Sequence, residues 1–133
     1  TKKINVAILG ATGSVGRELA ECLAERNFPV DNIYALASEK SIGRAISFGN
    51  KAEIKVEAMN SFDFHKAHLV FCALGNDVAA SFIKKAQDAK AIVIDNDNSK
   101  RAIFVKNKYT NLDYALNRIV VIKPMFFCFS YLS

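Results

Sequence analysis

Ile4-Asn5-Val6-Ala7-Ile8-Leu9 runs directly into Gly10-Ala11-Thr12-Gly13-Ser14-Val15-Gly16, and this junction constrains the chain more than any other feature. A short apolar run rich in β-branched residues and closed by glycine has the composition of an interior strand covered on both faces. Behind the glycines, Val15, Leu19 and Leu23 recur every four residues with Cys22 beside them, while Arg17, Glu18, Glu21 and Glu25 are polar. The spacing predicts an amphipathic helix from Ser14 to Arg26. Asn27, Pro29, Asp31 and Asn32 then mark a loop, and Ile33-Tyr34-Ala35-Leu36-Ala37 a second strand ending at Ser38. Strand, glycine turn, helix and strand within about 35 residues make one βαβ unit.

The pattern continues beyond this unit. Ala45 to Phe48 and Ile54 to Ala58 flank Gly49-Asn50-Lys51, which predicts an antiparallel hairpin appended to a parallel sheet. Leu69 to Ala73 and Ala91 to Ile94 read as further buried strands, the latter closing at Asp95-Asn96. Between them Val78, Phe82, Ile83 and Ala86 keep helical spacing, with Asp77 as the N-cap. The fold class is therefore α/β: a Rossmann-type, doubly wound, mostly parallel sheet with helices on both faces. With 133 residues, 51% of them hydrophobic, the chain holds one such domain, expected over residues 1–101. Residues 102–133 read as a divergent C-terminal segment, with a strand at Ile119–Ile122 and a helical turn at Leu112–Asn117. A second, dimerisation and catalytic, domain is expected to be missing from these residues.

Several function classes fall away. Lys2 and Lys3 lead into a strand and not into a long apolar run, so no secretory signal is expected. Met125 to Leu132 is far shorter than the ~20 residues of a membrane helix, and the expected compartment is the cytoplasm. Cys22, Cys72 and Cys128 are too scattered for a disulfide framework or a metal ribbon. His65 and His68 sit three apart but lack further ligands nearby, so no metal is expected. The net charge of +5 resides wholly after Ser99: six basic residues stand there against Asp113, whereas the preceding part balances 12 against 12. Those cations are scattered along the segment, so a nucleic-acid partner is not expected.

The chemistry concentrates at the glycine loop. A strand stopping on Gly10 and resuming as a helix near Ser14 aims backbone amides, and the positive end of a helix dipole, into one crevice suited to a pyrophosphate. Gly10 permits the turn, Gly13 leaves the main chain open to phosphate, and Gly16 lets helix pack on strand. At the end of the second strand Ser38-Glu39-Lys40-Ser41, with Arg44 behind, offers hydroxyl and basic groups that favour a 2′-phosphate and hence NADP; Glu39 opposes it if turned inward.

These stretches, with Asn27-Phe28-Pro29-Val30, Leu36 to Arg44 and Val93-Ile94-Asp95-Asn96, closely resemble the aspartate-β-semialdehyde dehydrogenase family over residues 4–101. N-acetyl-glutamyl-phosphate reductases share the fold and mechanism but match less well. The resemblance implies NADPH-dependent reductive dephosphorylation of β-aspartyl phosphate to the semialdehyde, a step toward lysine (by way of diaminopimelate), threonine and methionine. It implies that Thr12, Gly13, Ser14 and Val15 hold the pyrophosphate, with Gly10 and Gly16 shaping the loop. Ser38, Lys40 and Ser41 would serve the adenosine end, and Ala73 and Gly75 would border the cofactor, although Cys72 and Leu74 depart from the family's Ser-Ala-Gly-Gly. Arg101 falls where the family places an arginine for the substrate phosphate, with Lys100 in place of an aromatic. A homodimer is implied as well.

After residue 101 the resemblance fails. The family's nucleophile is the cysteine of an Asn-Pro-Asn-Cys-Ser-Thr motif; aligning Pro124 puts Phe126 at that position and Cys128 two residues late. Cys128 lies between phenylalanines, a setting that favours the inert thiol. With the base-bearing domain also missing, the expectation is a truncated or degenerate relative that keeps an NADP(H) site and takes small-molecule substrate only if a second domain is supplied. Whether the chain is an enzyme stays open at this point. The alternative is a non-enzymatic nucleotide-binding or interaction fragment, its apolar end Met125 to Leu132 docking on a partner.

Overall fold

The computed structural model describes residues 3–25, 27–74, 76–96, 102–105 and 130–131. In chain order these form β1 (Ile4–Leu9), α1 (Ser14–Glu25), β2 (Val30–Ala37), β3 (Ala45–Phe48), β4 (Ala52–Ala58), β5 (Leu69–Cys72), α2 (Asn76–Asp88), β6 (Ile92–Asn96), β7 (Ala102–Val105) and β8 (Ser130–Tyr131). Single 3-10 turns lie at Glu39–Ser41, Met59–Ser61 and Phe64–Lys66. Among the described residues the sheet order is β3-β4-β2-β1-β5-β6-β7-β8. The pairs from β4 through β6 are parallel; β3 joins β4, and β7 joins β6, antiparallel. The expected mostly parallel, Rossmann-type sheet and its appended hairpin are both present.

Alternation along the central strands builds two apolar layers, because successive side chains leave a strand on opposite faces. Ile4, Val6 and Ile8, with Leu69, Phe71, Ile92 and Ile94, pack under Leu19, Ala20, Leu23 and Ala24 of α1. Ala7, Leu9, Leu36, Val70, Cys72 and Val93 face the other way and meet Ala79, Phe82 and Ala86 of α2. The 3-10 turns add Met59 and Phe64 to this second layer. Burial on both faces is why these strands read as unbroken apolar runs.

Both helices stop by the same device. The Asn27 amide donates to the Ala24 carbonyl (3.2 Å) and the Phe28 amide to that of Leu23 (3.1 Å); the Lys90 amide donates to Gln87 (2.9 Å) and that of Ala91 to Ala86 (3.0 Å). Asn27 (φ 52°) and Lys90 (φ 66°) take the left-handed conformation that this Schellman arrangement needs. Buried Phe28 and Ala91 then turn the chain back toward the sheet.

Several boundaries differ from expectation; β4 opens at Ala52 and not Ile54, and β6 runs on through Asn96. β2 begins at Val30, not Ile33, because Ile4 pairs with Val30 and Asn32 donates through Nδ2 to Asn5 Oδ1 (3.0 Å), giving polar loop-type residues partners within the sheet. α2 opens at Asn76, so Asp77 lies inside its first turn and is not the cap. The sheet also carries past residue 101, since Asn96 pairs with Ala102 and Val93 with Val105. The expected strand at Ile119–Ile122 and the turn at Leu112–Asn117 fall outside the described residues.

Candidate functional site: a dinucleotide crevice

The glycine turn is fastened to both neighbouring strands. The amides of Gly10 and Ala11 both donate to the Leu36 carbonyl of β2 (2.9 and 3.1 Å), and the Ala73 amide after β5 donates to the Leu9 carbonyl (2.9 Å). Gly10 takes φ +78°, and a side chain on it would meet the Ala73 carbonyl oxygen at 2.7 Å. Gly16 is as confined: a Cβ there would strike the Gly10 carbonyl oxygen and stand 2.7 Å from Ala11 Cα. Gly13 is different, for a Cβ on it would meet only the Gly10 oxygen, at 3.5 Å. The two outer glycines thus serve packing and the middle one leaves an open face.

What lies on that face is a set of donors. The Gly13 amide closes the turn on the Gly10 carbonyl (3.2 Å), and the Arg17 amide makes the first helical bond to the Gly13 carbonyl (3.0 Å). The amides of Ser14, Val15 and Gly16 come before that first bond and donate to no carbonyl of the described residues. Gly13 and Ser14 are exposed, and Thr12 and Val15 half-buried. Their location is the carboxyl edge of the parallel sheet between β1 and β5, where the winding of the strands reverses. Ligands of open α/β sheets bind at this place.

The turn after β2 borders the same edge. Ser38, Glu39 and Lys40 are exposed, and the Ser41 amide donates to the Ser38 carbonyl (2.9 Å). Ser41 is the buried polar residue of the described set, 9% exposed, and its hydroxyl has no hydrogen-bond partner there. A buried hydroxyl without a partner is costly unless something else completes it. Glu39, Lys40 and Arg44 make no ion pair among the described residues.

The structure thus brings Gly10, Thr12, Gly13, Ser14, Val15 and Gly16 together, with Ala73 half-buried against Gly10 and Ser38, Lys40 and Ser41 on the adjoining turn. Gly75, Arg101 and Cys128 lie outside the described residues. One participant went unread in the sequence, the Leu36 carbonyl, for which a main-chain atom gives no signal; Leu74, noted there only as a departure from the family pattern, has its Cδ2 where it would stand 3.2 Å from a Cβ on Gly10. His68 is engaged away from the crevice, its Nδ1 accepting the Asn5 amide (2.9 Å), and His65 Nδ1 lies 2.9 Å from Asp63 Oδ1. No cluster of three or more potential metal ligands occurs among the described residues, and no helix there is long and apolar enough to cross a membrane.

A cradle of unpartnered amides between a glycine turn and a helix, set at the reversal point of a parallel sheet, defines a Rossmann-type nucleotide-binding domain. More particularly, the chain belongs to the family described as semialdehyde dehydrogenase, NAD binding domain, which matches residues 5–107. It is 44% identical over 98 residues to an aspartate-semialdehyde dehydrogenase of Rickettsia conorii, covering 74% of this chain and 29% of that protein. Among solved structures, aspartate semialdehyde dehydrogenase II of Vibrio cholerae, complexed with ASA, superposes with a TM-score of 0.71 at 29% identity over 98% of this chain and 41% of that one. The Candida albicans enzyme with NADP shares the fold, with a TM-score of 0.59 at 19% identity over 99% of this chain and 43% of that one. The chain thus spans less than a third of the Rickettsia relative's length.

Proposed function

We propose that this chain is the NADP(H)-binding part of an aspartate-β-semialdehyde dehydrogenase, the enzyme that reductively dephosphorylates β-aspartyl phosphate to aspartate semialdehyde. The observation that carries this reading is the glycine cradle: amides of Ser14, Val15 and Gly16 that donate to no carbonyl of the described residues, facing an open Gly13. Thr12, Gly13, Ser14 and Val15 line the pyrophosphate there: the main-chain N–H groups of Ser14 and Val15 donate to it at the positive end of α1, and Gly13, its own amide bonded to the Gly10 carbonyl, leaves the approach open. Gly10 and Gly16 keep turn, strand and helix close enough for those amides to converge. The hydroxyl of buried Ser41, without a hydrogen-bond partner among the described residues, and the ammonium of exposed Lys40 supply a donor and a charge suited to a 2′-phosphate, which supports NADP over NAD. Ala73, which stands against Gly10, is assigned to the border of the cofactor, and Gly75 is assigned there by its position in the family pattern.

The bound cofactor supplies a hydride. Chain residues supply its placement: a rigid main-chain frame holds it at the sheet edge, where a substrate domain can close over it. Arg101 is assigned to the substrate phosphate by its position in the family pattern. The same reading places the protein in the cytoplasm, as part of a homodimeric enzyme of lysine, threonine and methionine synthesis. Turnover needs a thiolate nucleophile and a general base, and the cysteines with described surroundings, Cys22 on α1 and Cys72 inside β5, are no candidates. With Cys128 two residues away from the family's nucleophile position, these 133 residues by themselves are expected to bind cofactor without turning over substrate.

Titration with NADPH, followed by enhancement of its fluorescence, tests the site, and an assay with β-aspartyl phosphate tests the rest. Saturable binding that Gly13→Leu abolishes is the expected result. Absence of binding to folded protein defeats the cofactor reading, and steady turnover by this chain defeats the inactive one.

A further inference from the structure

The turn after β2 carries two opposed recognition signals. Ser41, buried and with no hydroxyl partner among the described residues, and Lys40, exposed and outside any ion pair of those residues, suit a phosphate. Between Ser38 and Lys40 stands Glu39, also exposed and also outside any ion pair of the described residues. A carboxylate at the end of this strand accepts a hydrogen bond from a free ribose 2′-hydroxyl, whereas beside a 2′-phosphate it meets like charge.

The main chain fixes how these groups are presented. The Ser41 amide is bonded to the Ser38 carbonyl (2.9 Å), the Ile42 amide to that of Glu39 (3.2 Å) and the Arg44 amide to that of Ser41 (3.1 Å). Glu39 and Lys40 therefore leave one short, internally bonded turn as neighbours, and among the described residues no cation neutralises the carboxylate. Glu39 is exposed, so the core does not depend on it. A turn built only for phosphate gains nothing from it.

We infer that Glu39 is a specificity-determining residue that keeps this site open to both nicotinamide dinucleotides. Its carboxylate takes the 2′-hydroxyl of NADH, while Lys40 and Ser41 take the 2′-phosphate of NADPH. The inference rests on the reading that the crevice binds a dinucleotide, and it adds that discrimination between the two is shallow and is set by one exposed side chain.

The test titrates the full 133-residue chain with NADPH and with NADH, as wild type, Glu39→Gln and Lys40→Gln. Both substitutions are at exposed positions outside the core, and circular dichroism checks each fold. The wild type is expected to bind the two cofactors within about tenfold of each other. Glu39→Gln is expected to move the ratio about tenfold toward NADPH, roughly the effect of removing one unit charge near a surface phosphate. Lys40→Gln moves it the opposite way, and raised salt diminishes both shifts. Binding of both cofactors with a ratio unmoved by Glu39→Gln, or a wild type that prefers NADPH more than a hundredfold, overturns the role of Glu39 and leaves the crevice reading intact. Failure of every folded variant to bind either cofactor overturns the crevice reading, and this inference falls with it.

Discussion

Gly10 lies so close under the carbonyl of Ala73 that a single methyl on its Cα would sit 2.7 Å from that oxygen, closer than real Cβ atoms approach. Both partners are main chain, so no side-chain rotation relieves the contact; β1 and β5 would have to separate. The φ of +78° adds a second penalty for any residue with a Cβ. Gly10→Ala is therefore expected to cost about 2–4 kcal/mol. A urea-unfolding midpoint equal to the wild type's would show that the two strand ends are not locked in this way.

The outer and middle glycines should separate stability from binding. Gly16→Ala drives a methyl into the Gly10 carbonyl and Ala11, lifting α1 from the turn, and is expected to destabilise by about 1–3 kcal/mol. Gly13→Ala meets nothing nearer than 3.5 Å and should fold with nearly wild-type stability. It does place a methyl on the open face of the cradle, so NADPH affinity should drop at least tenfold. Paired unfolding and binding curves check both halves, and equal stability losses for the two variants would contradict the geometry.

How much of this was legible in the sequence depends on whether the determinant was local. β1, the glycine turn and α1 were readable because apolar run, glycine spacing and four-residue periodicity all lie within Ile4 to Glu25. The first residues of β2 were not, since Asp31 and Asn32 are turn-type residues whose strand conformation depends on β1, some 27 positions away. His68 likewise looked like half of a possible ligand pair, yet its ring accepts the amide of Asn5, 63 residues earlier, at the edge of β1. β7 is held by antiparallel pairing with β6, and no pattern within Ala102-Ile103-Phe104-Val105 specifies that partner. Within the site the glycine roles were readable, but the burial of Ser41 was not, because adjacent polar residues look alike until packing distinguishes them.

Asp63 supplies a prediction about acid. Its Oδ1 accepts from the His65 ring at 2.9 Å and from the His65 amide at 3.1 Å, and these bonds, the ring's foremost, hold the carboxyl below its ordinary 3.8. A carboxyl more acidic in the folded state stabilises that state above its unfolded value, and the contribution is lost as pH falls through the folded one. NMR titration of the Asp63 carboxyl carbon should give a midpoint under 3.8, moving back toward it in His65→Ala. A native midpoint at or above the ordinary value would mean that the cap at Phe64–Lys66 does not form.

The two helix ends are matched in hydrogen bonding but not in the residue that takes the left-handed turn, and this sets up an internal comparison. Asn27 tolerates that conformation, and its Oδ1 also accepts Lys51 Nζ at 3.0 Å, so it gives as well as costs. Lys90, at φ 66°, has a Cβ facing the carbonyl with no short polar side chain to compensate locally. Left-handed backbone costs an ordinary residue about 1–2 kcal/mol, whereas glycine brings back about 0.5–1 kcal/mol of unfolded-state entropy. Lys90→Gly is accordingly expected to stabilise the protein by about 0.5–1 kcal/mol less whatever the contacts of the Lys90 side chain contribute. Asn27→Gly removes the bond to Lys51 and should yield no gain. Thermal unfolding of the two variants side by side decides the matter: a rise for Asn27→Gly with a fall for Lys90→Gly would reverse the assignment of strain.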